Sequence, residues 1–113
     1  MTWGRDTDAD EAATQLMAFA DAGGTLIDTA DVYSDGEAER ILGGLLGEIV
    51  PREELVIATK AVARRTEGPF GGGASRGALL SALDGSLRRL AIDHCHQIVK
   101  RRVGCSLHRT AFI

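Results

Sequence analysis

Asp28, Tyr33 and Lys60 have the residue types of a proton-transfer site. Asp28 and Lys60 each close an apolar run, Thr25-Leu26-Ile27-Asp28-Thr29 and Leu55-Val56-Ile57-Ala58-Thr59-Lys60, and Tyr33 lies in the segment after the first. In α/β proteins the sites form at or just beyond the C-terminal ends of strands. If the two runs are neighbouring strands, Asp28 and Lys60 can make a charge pair. An ammonium beside a phenol favours phenolate, each pKa unit being worth about 1.4 kcal/mol of differential interaction. A phenol in that setting serves as a general acid near neutral pH, and a carboxylate keeps the ammonium charged and oriented. Spacing alone also allows a plainer reading, and favours it. Asp28 would cap a turn, Lys60 would be solvated, and Tyr33, the one tyrosine of the chain, would be ordinary packing.

The elements that must position these residues can be read from periodicity. A first helix is predicted over Asp8–Ala22, with N-terminal signals in Thr7-x-x-Asp10 and Asp8-x-x-Glu11 and an apolar stripe of Ala13, Leu16, Met17 and Ala20. Gly23-Gly24 ends it. The run Thr25–Thr29 reads as a short strand. Ser34-x-x-Glu37 has the form of a capping box, and a second helix over Gly36–Gly47 would bury Ile41, Leu42, Leu45 and Leu46. After Pro51, the continuous run Leu55–Lys60 suits a parallel strand covered on both faces. Residues 61–74 read as loop, with Gly71-Gly72-Gly73 a flexible connection rather than a phosphate loop, since no Lys-Ser/Thr comes after it. Ser75 opens a third helix with the stripe Leu79, Leu80, Leu83, Leu87 and Leu90; Ile98-Val99 is a weak strand signal. Alternating helices and strands of this kind mean βαβ units and a parallel sheet. Periodicity does not separate an open doubly wound sheet from part of a (β/α)8 barrel.

The chain has 113 residues, enough for one globular domain. Hydrophobic residues make up 44% and charged residues 26%, which excludes a disordered chain. No apolar run approaches the roughly 18 residues of a membrane span. The acidic, polar segment 1–11 does not read as a secretory signal, so the expected location is cytoplasmic. The net charge of −3 gives no reason to expect nucleic acid or membrane as a partner. Charge is unevenly distributed, however. Residues 1–93 hold all 16 acids and nine of the 13 basic residues, while residues 94–113 hold Lys100, Arg101, Arg102, Arg109 and no acid. Both cysteines and all three histidines also lie beyond Asp93. Cys95, His96, Cys105 and His108 are zinc-ligand types, but their spacing matches no common finger, and no metal is expected. The composition divides the chain into residues 1–93 and a divergent basic tail, 94–113.

The residues around the three candidates carry a resemblance. Gly24-Thr-Leu-Ile-Asp28-Thr-Ala-Asp-Val-Tyr33-Ser, with Gly36-Glu-Ala-Glu-Arg-Ile-Leu-Gly43 just after it, resembles the second strand, catalytic loop and second helix of an aldo-keto reductase. Leu55–Lys60 is similar to the family's third strand with its lysine, and Ser86-Leu-Arg-Arg-Leu-Ala-Ile-Asp93 to the helix and turn before the fourth. Met1-Thr-Trp-Gly4 resembles the segment just after the family's first strand. The resemblance covers about residues 1–93 and reverses the balance for the three residues. It implies a partial (β/α)8 TIM barrel of two to three parallel strands. It also implies NADPH-dependent reduction of an aldehyde or ketone, with a small carbonyl compound as substrate. Tyr33 would be the proton donor, Lys60 its activator, and Asp28 the partner of Lys60 and a cofactor contact.

Two departures bear on activity. The family's catalytic histidine would fall near position 101, where this chain has Arg101, and none of His94, His96 or His108 takes its place. A (β/α)8 barrel typically needs about 250 residues, so most of the cofactor site is not in this sequence. Two functions stay open: a carbonyl reductase with Asp28, Tyr33 and Lys60 as its catalytic share, or a truncated remnant or interaction fragment without turnover. An open parallel sheet with apolar faces and unpaired edges should also self-associate.

Overall fold

A computed structural model describes residues 2–61, 67–68, 73 and 75–100. Most of the 61–74 segment and everything after Lys100 lie outside the described residues, including the position near 101, Cys105 and His108. The elements are α1 (Ala9–Asp21), β1 (Leu26–Asp28), α2 (Glu37–Leu45), β2 (Val56–Ala61), α3 (Arg76–Leu90) and β3 (Gln97–Lys100). The protein is α/β, with three parallel strands in the order β1-β2-β3. This is the architecture of part of a (β/α)8 barrel. Sequential order with right-handed crossovers places α2 and α3 on one face of the sheet.

Helix ends obey local chemistry where a side chain can reach the backbone. The Asp8 carboxylate accepts the Glu11 N–H at 2.9 Å, and the Ser75 hydroxyl accepts that of Ala78 at 3.1 Å. Gly23, at φ +80°, lies just past α1. The expected Ser34 capping box is not formed. Gly36, at φ +88°, is the N-cap of α2 and gives no side-chain cap bond. Ser34 and Asp35 are themselves left-handed, so the chain turns sharply before the helix and carries the Ser34 side chain away from the N-terminus of α2.

The core lies between the sheet and the helices and is built on Leu16, Leu42, Val50, Leu55, Ile57 and Leu90. Two expected stripe residues face solvent instead: Met17 is 45% exposed and Leu80 49%. Small residues are buried on these helices instead, Ala12 on α1 and Ala78 on α3. Gly43 on α2 packs directly against the backbone of α3. A Cβ there would stand 2.6 Å from the Leu90 carbonyl oxygen and 2.7 Å from that of Arg89. Gly43→Ala is therefore expected to destabilise the fold by about 1–3 kcal/mol, overpacking outweighing alanine's better helix propensity. The check is a lower urea midpoint.

β2 is covered on both faces except at its first residue. Ile57 and Thr59 are wholly buried against the helices, whereas Val56 is 40% exposed on the other side. Its register partner Leu26 is 51% exposed. The apolar character of the run thus exceeds what these helices cover. The weak signal at Ile98-Val99 becomes β3, paired in register with β2 from Ala58↔Gln97 to Ala61↔Lys100.

Candidate active site at the strand ends

β1 and β2 bring Asp28 and Lys60 to the same end and face of the sheet. Asp28 pairs with Ala58 in register, and Lys60 lies two residues further along the same face. Beyond β1 the backbone stays attached to β2. The Thr29 N–H donates to the Ala58 carbonyl at 2.9 Å and the Asp31 N–H to that of Lys60 at 3.2 Å. This attachment swings the Val32–Gly36 turn over the strand ends and places Tyr33 above Lys60.

The Lys60 ammonium is the centre of the site. It donates to the Asp28 carboxylate Oδ2 and, at 3.0 Å, to the Thr29 carbonyl. Its Nζ lies 3.4 Å from the Tyr33 hydroxyl and 5.1 Å from the centre of the Tyr33 ring. The Lys60 and Asp28 side chains are only 13% and 19% exposed. The pair is therefore less screened than a surface ion pair, whose worth is commonly about 0–1 kcal/mol. The three residues singled out in the sequence thus converge, and a positive charge sits beside the one phenol of the chain.

A cavity of 280 Å³ opens beside Asp28 and Tyr33, with Trp3, Phe19, Leu26 and Ile27 in its walls. The Trp3 indole N–H donates to the Gln15 side-chain oxygen at 2.8 Å and ties the N-terminal loop to α1. No sequence signal singled out these two residues together, because they are twelve residues apart and meet only across the α1 face.

The turn that carries Tyr33 is strained. Ser34 and Asp35 have φ of +49° and +56°, a region costing non-glycine residues about 1–2 kcal/mol each. The Ser34 hydroxyl oxygen is also buried, with no hydrogen-bond partner among the described residues. Ser34→Gly is expected to stabilise the chain by up to about 1 kcal/mol, since relief of strain exceeds glycine's entropy cost. A raised urea midpoint checks it.

Of the zinc-type residues, Cys95 and His96 are described. The His96 Nδ1 accepts the Ile57 N–H at 3.1 Å, while the His96 backbone N–H donates to the Ile57 carbonyl at 2.8 Å. The histidine thus docks the approach to β3 on β2. Burial pushes the Cys95 thiol up from its ordinary pKa, which disfavours the thiolate and suits an inert packing residue.

Sequence reasoning missed a buried polar group behind the site. Glu39, wholly buried on α2, accepts from the Thr59 hydroxyl at 2.6 Å and from the Arg89 guanidinium at 2.7 Å. The available signal was its place three residues before Leu42, on the apolar face of α2.

Comparison with known proteins agrees with this architecture. The profile of the Aldo/keto reductase family matches residues 1–100, which carries the likeness through β3 and past the composition break at 93/94. The chain is 40% identical over 92 residues to the L-glyceraldehyde 3-phosphate reductase of Escherichia coli (strain K12), covering 78% of this chain and 27% of that protein. It is 33% identical over 92 residues to the aldo-keto reductase YhdN of Bacillus subtilis (strain 168), covering 81% and 28%. It is 34% identical over 102 residues to a probable voltage-gated potassium channel subunit beta of Oryza sativa subsp. japonica, covering 86% and 31%. The chain thus spans less than a third of the length of the curated relatives it matches. With three parallel strands, the strand-end cluster and a profile match across all the described residues, this chain belongs to the aldo/keto reductase family.

Proposed function

We propose that the strand-end cluster is the proton-donating part of a carbonyl-reducing site. Tyr33 is the general acid that protonates the carbonyl oxygen. Lys60 steadies the negative charge developing on the phenol oxygen, and Asp28 keeps Lys60 charged and aimed. The observation that carries this reading is the Lys60 ammonium, held by Asp28 and lying 3.4 Å from the Tyr33 hydroxyl. The reductase names of the Escherichia coli and Bacillus subtilis relatives support it.

The cofactor we assign is NADPH, in a family generally dependent on NAD(P)H. When bound, it supplies the hydride. The cavity beside Asp28 and Tyr33, with the apolar side chains of Trp3, Phe19, Leu26 and Ile27 in its walls, suits the flat nicotinamide end. Asp28 would hold hydrogen-bond donors there. At 280 Å³ the cavity falls just short of the roughly 300–1,000 Å³ of ordinary ligand pockets, so it fits part of a dinucleotide rather than the whole. The substrate is a small aldehyde or ketone whose oxygen reaches Tyr33. We further place the reductase-like unit at residues 1–93 and a basic segment at 94–113, whose first residues supply β3, and the protein in the cytoplasm.

The second reading is an interaction fragment without turnover. It is favoured by Leu26 and Val56, exposed side by side on the open sheet face, and by the channel-subunit name of the rice relative. Under this reading the open face brings copies of the chain together. The deciding experiment is an NADPH titration monitored by nicotinamide fluorescence, with a small aldehyde added afterwards. NADPH binding, with turnover that disappears in Tyr33→Phe while binding persists, supports the reductase. Absence of binding overturns it, and concentration-dependent association in sedimentation then supports the fragment.

A further inference from the structure

We infer that Glu39 is a positioning residue for Lys60, acting through Thr59. The inference rests on the reductase reading above for its catalytic meaning, but its geometry stands apart from it. Thr59 and Lys60 are consecutive on β2, so their side chains point to opposite faces. Thr59 is wholly buried on the helix side, and its hydroxyl donates to the Glu39 carboxylate at 2.6 Å. The other Glu39 oxygen accepts from the Arg89 Nε at 2.7 Å, and an Arg89 Nη lies 3.3 Å from the buried Ser86 hydroxyl. One carboxylate therefore joins β2, α2 and α3 directly behind the site.

Cohesion alone does not account for this group. A buried ion pair carries a large desolvation cost, and apolar residues of similar shape commonly hold elements together as well or better. What the carboxylate adds is direction. A short, charge-assisted bond fixes the side-chain torsion of Thr59 and the orientation of the strand at that residue. The next residue is a long, flexible lysine that must meet Asp28, the Thr29 carbonyl and Tyr33 at once. A wobble of the strand at Thr59 would be passed to the base of that lever. Lys60 is clamped on the other side by its carbonyl, which accepts the Asp31 N–H. Thr59 supplies the matching constraint from behind.

The test uses Thr59→Val, which replaces only the hydroxyl, and Thr59→Ser, which restores it. Reductive methylation of the intact chain, read by mass spectrometry against a free lysine peptide in the same tube, reports how firmly the Lys60 ammonium is held. Lys60 is expected to react at least five-fold faster in Thr59→Val than in the native chain, and at the native rate in Thr59→Ser. The turnover number should fall about ten-fold in Thr59→Val with KM unchanged, and recover in Thr59→Ser. Val50→Ala, a core change outside β2 and outside the cavity beside Asp28, should lower the melting temperature without changing Lys60 labelling below it. A Thr59→Val chain that melts lower but labels Lys60 at the native rate would overturn the inference and leave the network a structural one. Faster labelling in Thr59→Val when the native chain turns over no aldehyde would sink the reductase reading and uphold the anchoring.

Discussion

Tyr33→Phe is expected to lower turnover of a small aldehyde by about 10²–10⁴-fold while leaving the dissociation constant for NADPH unchanged, the range set by losing one positioned general acid. The substitution is narrow. It keeps the ring that lies 5.1 Å from the Lys60 ammonium and lines the cavity, and removes only the hydroxyl. Lys60→Met should cost about as much, because the phenol then loses the positive charge that steadies its developing anion. It should also weaken the fold, since the largely buried Asp28 carboxylate is left without its partner. The two residues act as a unit, so the double variant should be little worse than the poorer single one. Initial rates of nicotinamide absorbance loss at saturating cofactor read the first quantity, and cofactor fluorescence the second. Native turnover in Tyr33→Phe would remove the phenol from the chemistry.

The order of helices and strands was legible because each element carries its own local signal. Gly23-Gly24 ends α1, the β-branched run makes β2, and Ser75 starts α3. Asp28, Tyr33 and Lys60 stood out for the same reason, since each closes or comes after an apolar run, but spacing alone favoured a structural role and the family resemblance reversed it. The features that stayed hidden depend on how elements meet. Met17 and Leu80 fit the helical stripes but point outward, while Ala12 and Ala78 are buried and Gly43 packs on the α3 backbone. Ser34 has the spacing of a capping box, yet the turn that carries Tyr33 takes it through left-handed angles. The basic, acid-free composition after Asp93 gave β3 little weight. Strand pairing needs only backbone N–H and carbonyl groups with modest apolar support, and Ile98 and Val99 supply that support. Glu39 was the largest omission, because a carboxylate on an apolar face has meaning only once Thr59 and Arg89 are seen to meet it.

Glu39→Ala is expected to destabilise the chain by about 3–5 kcal/mol, the range for breaking a buried ion pair by removing one partner. The loss comes from the groups left behind. Arg89, 17% exposed, keeps its charge in a site that no longer neutralises it, and the wholly buried Thr59 hydroxyl loses its acceptor. Leaving such a donor unsatisfied alone costs about 1–3 kcal/mol. Against a typical total stability of about 5–15 kcal/mol, the change can leave a substantial fraction unfolded at room temperature. Replacing the whole group, as in Glu39→Leu with Arg89→Leu and Thr59→Val, should cost far less, because no polar atom of the triad is then stranded. That contrast separates a charge that holds the helices together from one that defines a position. Urea unfolding of the single and triple variants, with m-values compared, reads the difference directly. A triple variant that regains stability without regaining native protection of Lys60 is the expected result. It would mean that the ion pair maintains the aim of Lys60, while the cohesion of the three elements comes from apolar packing around it.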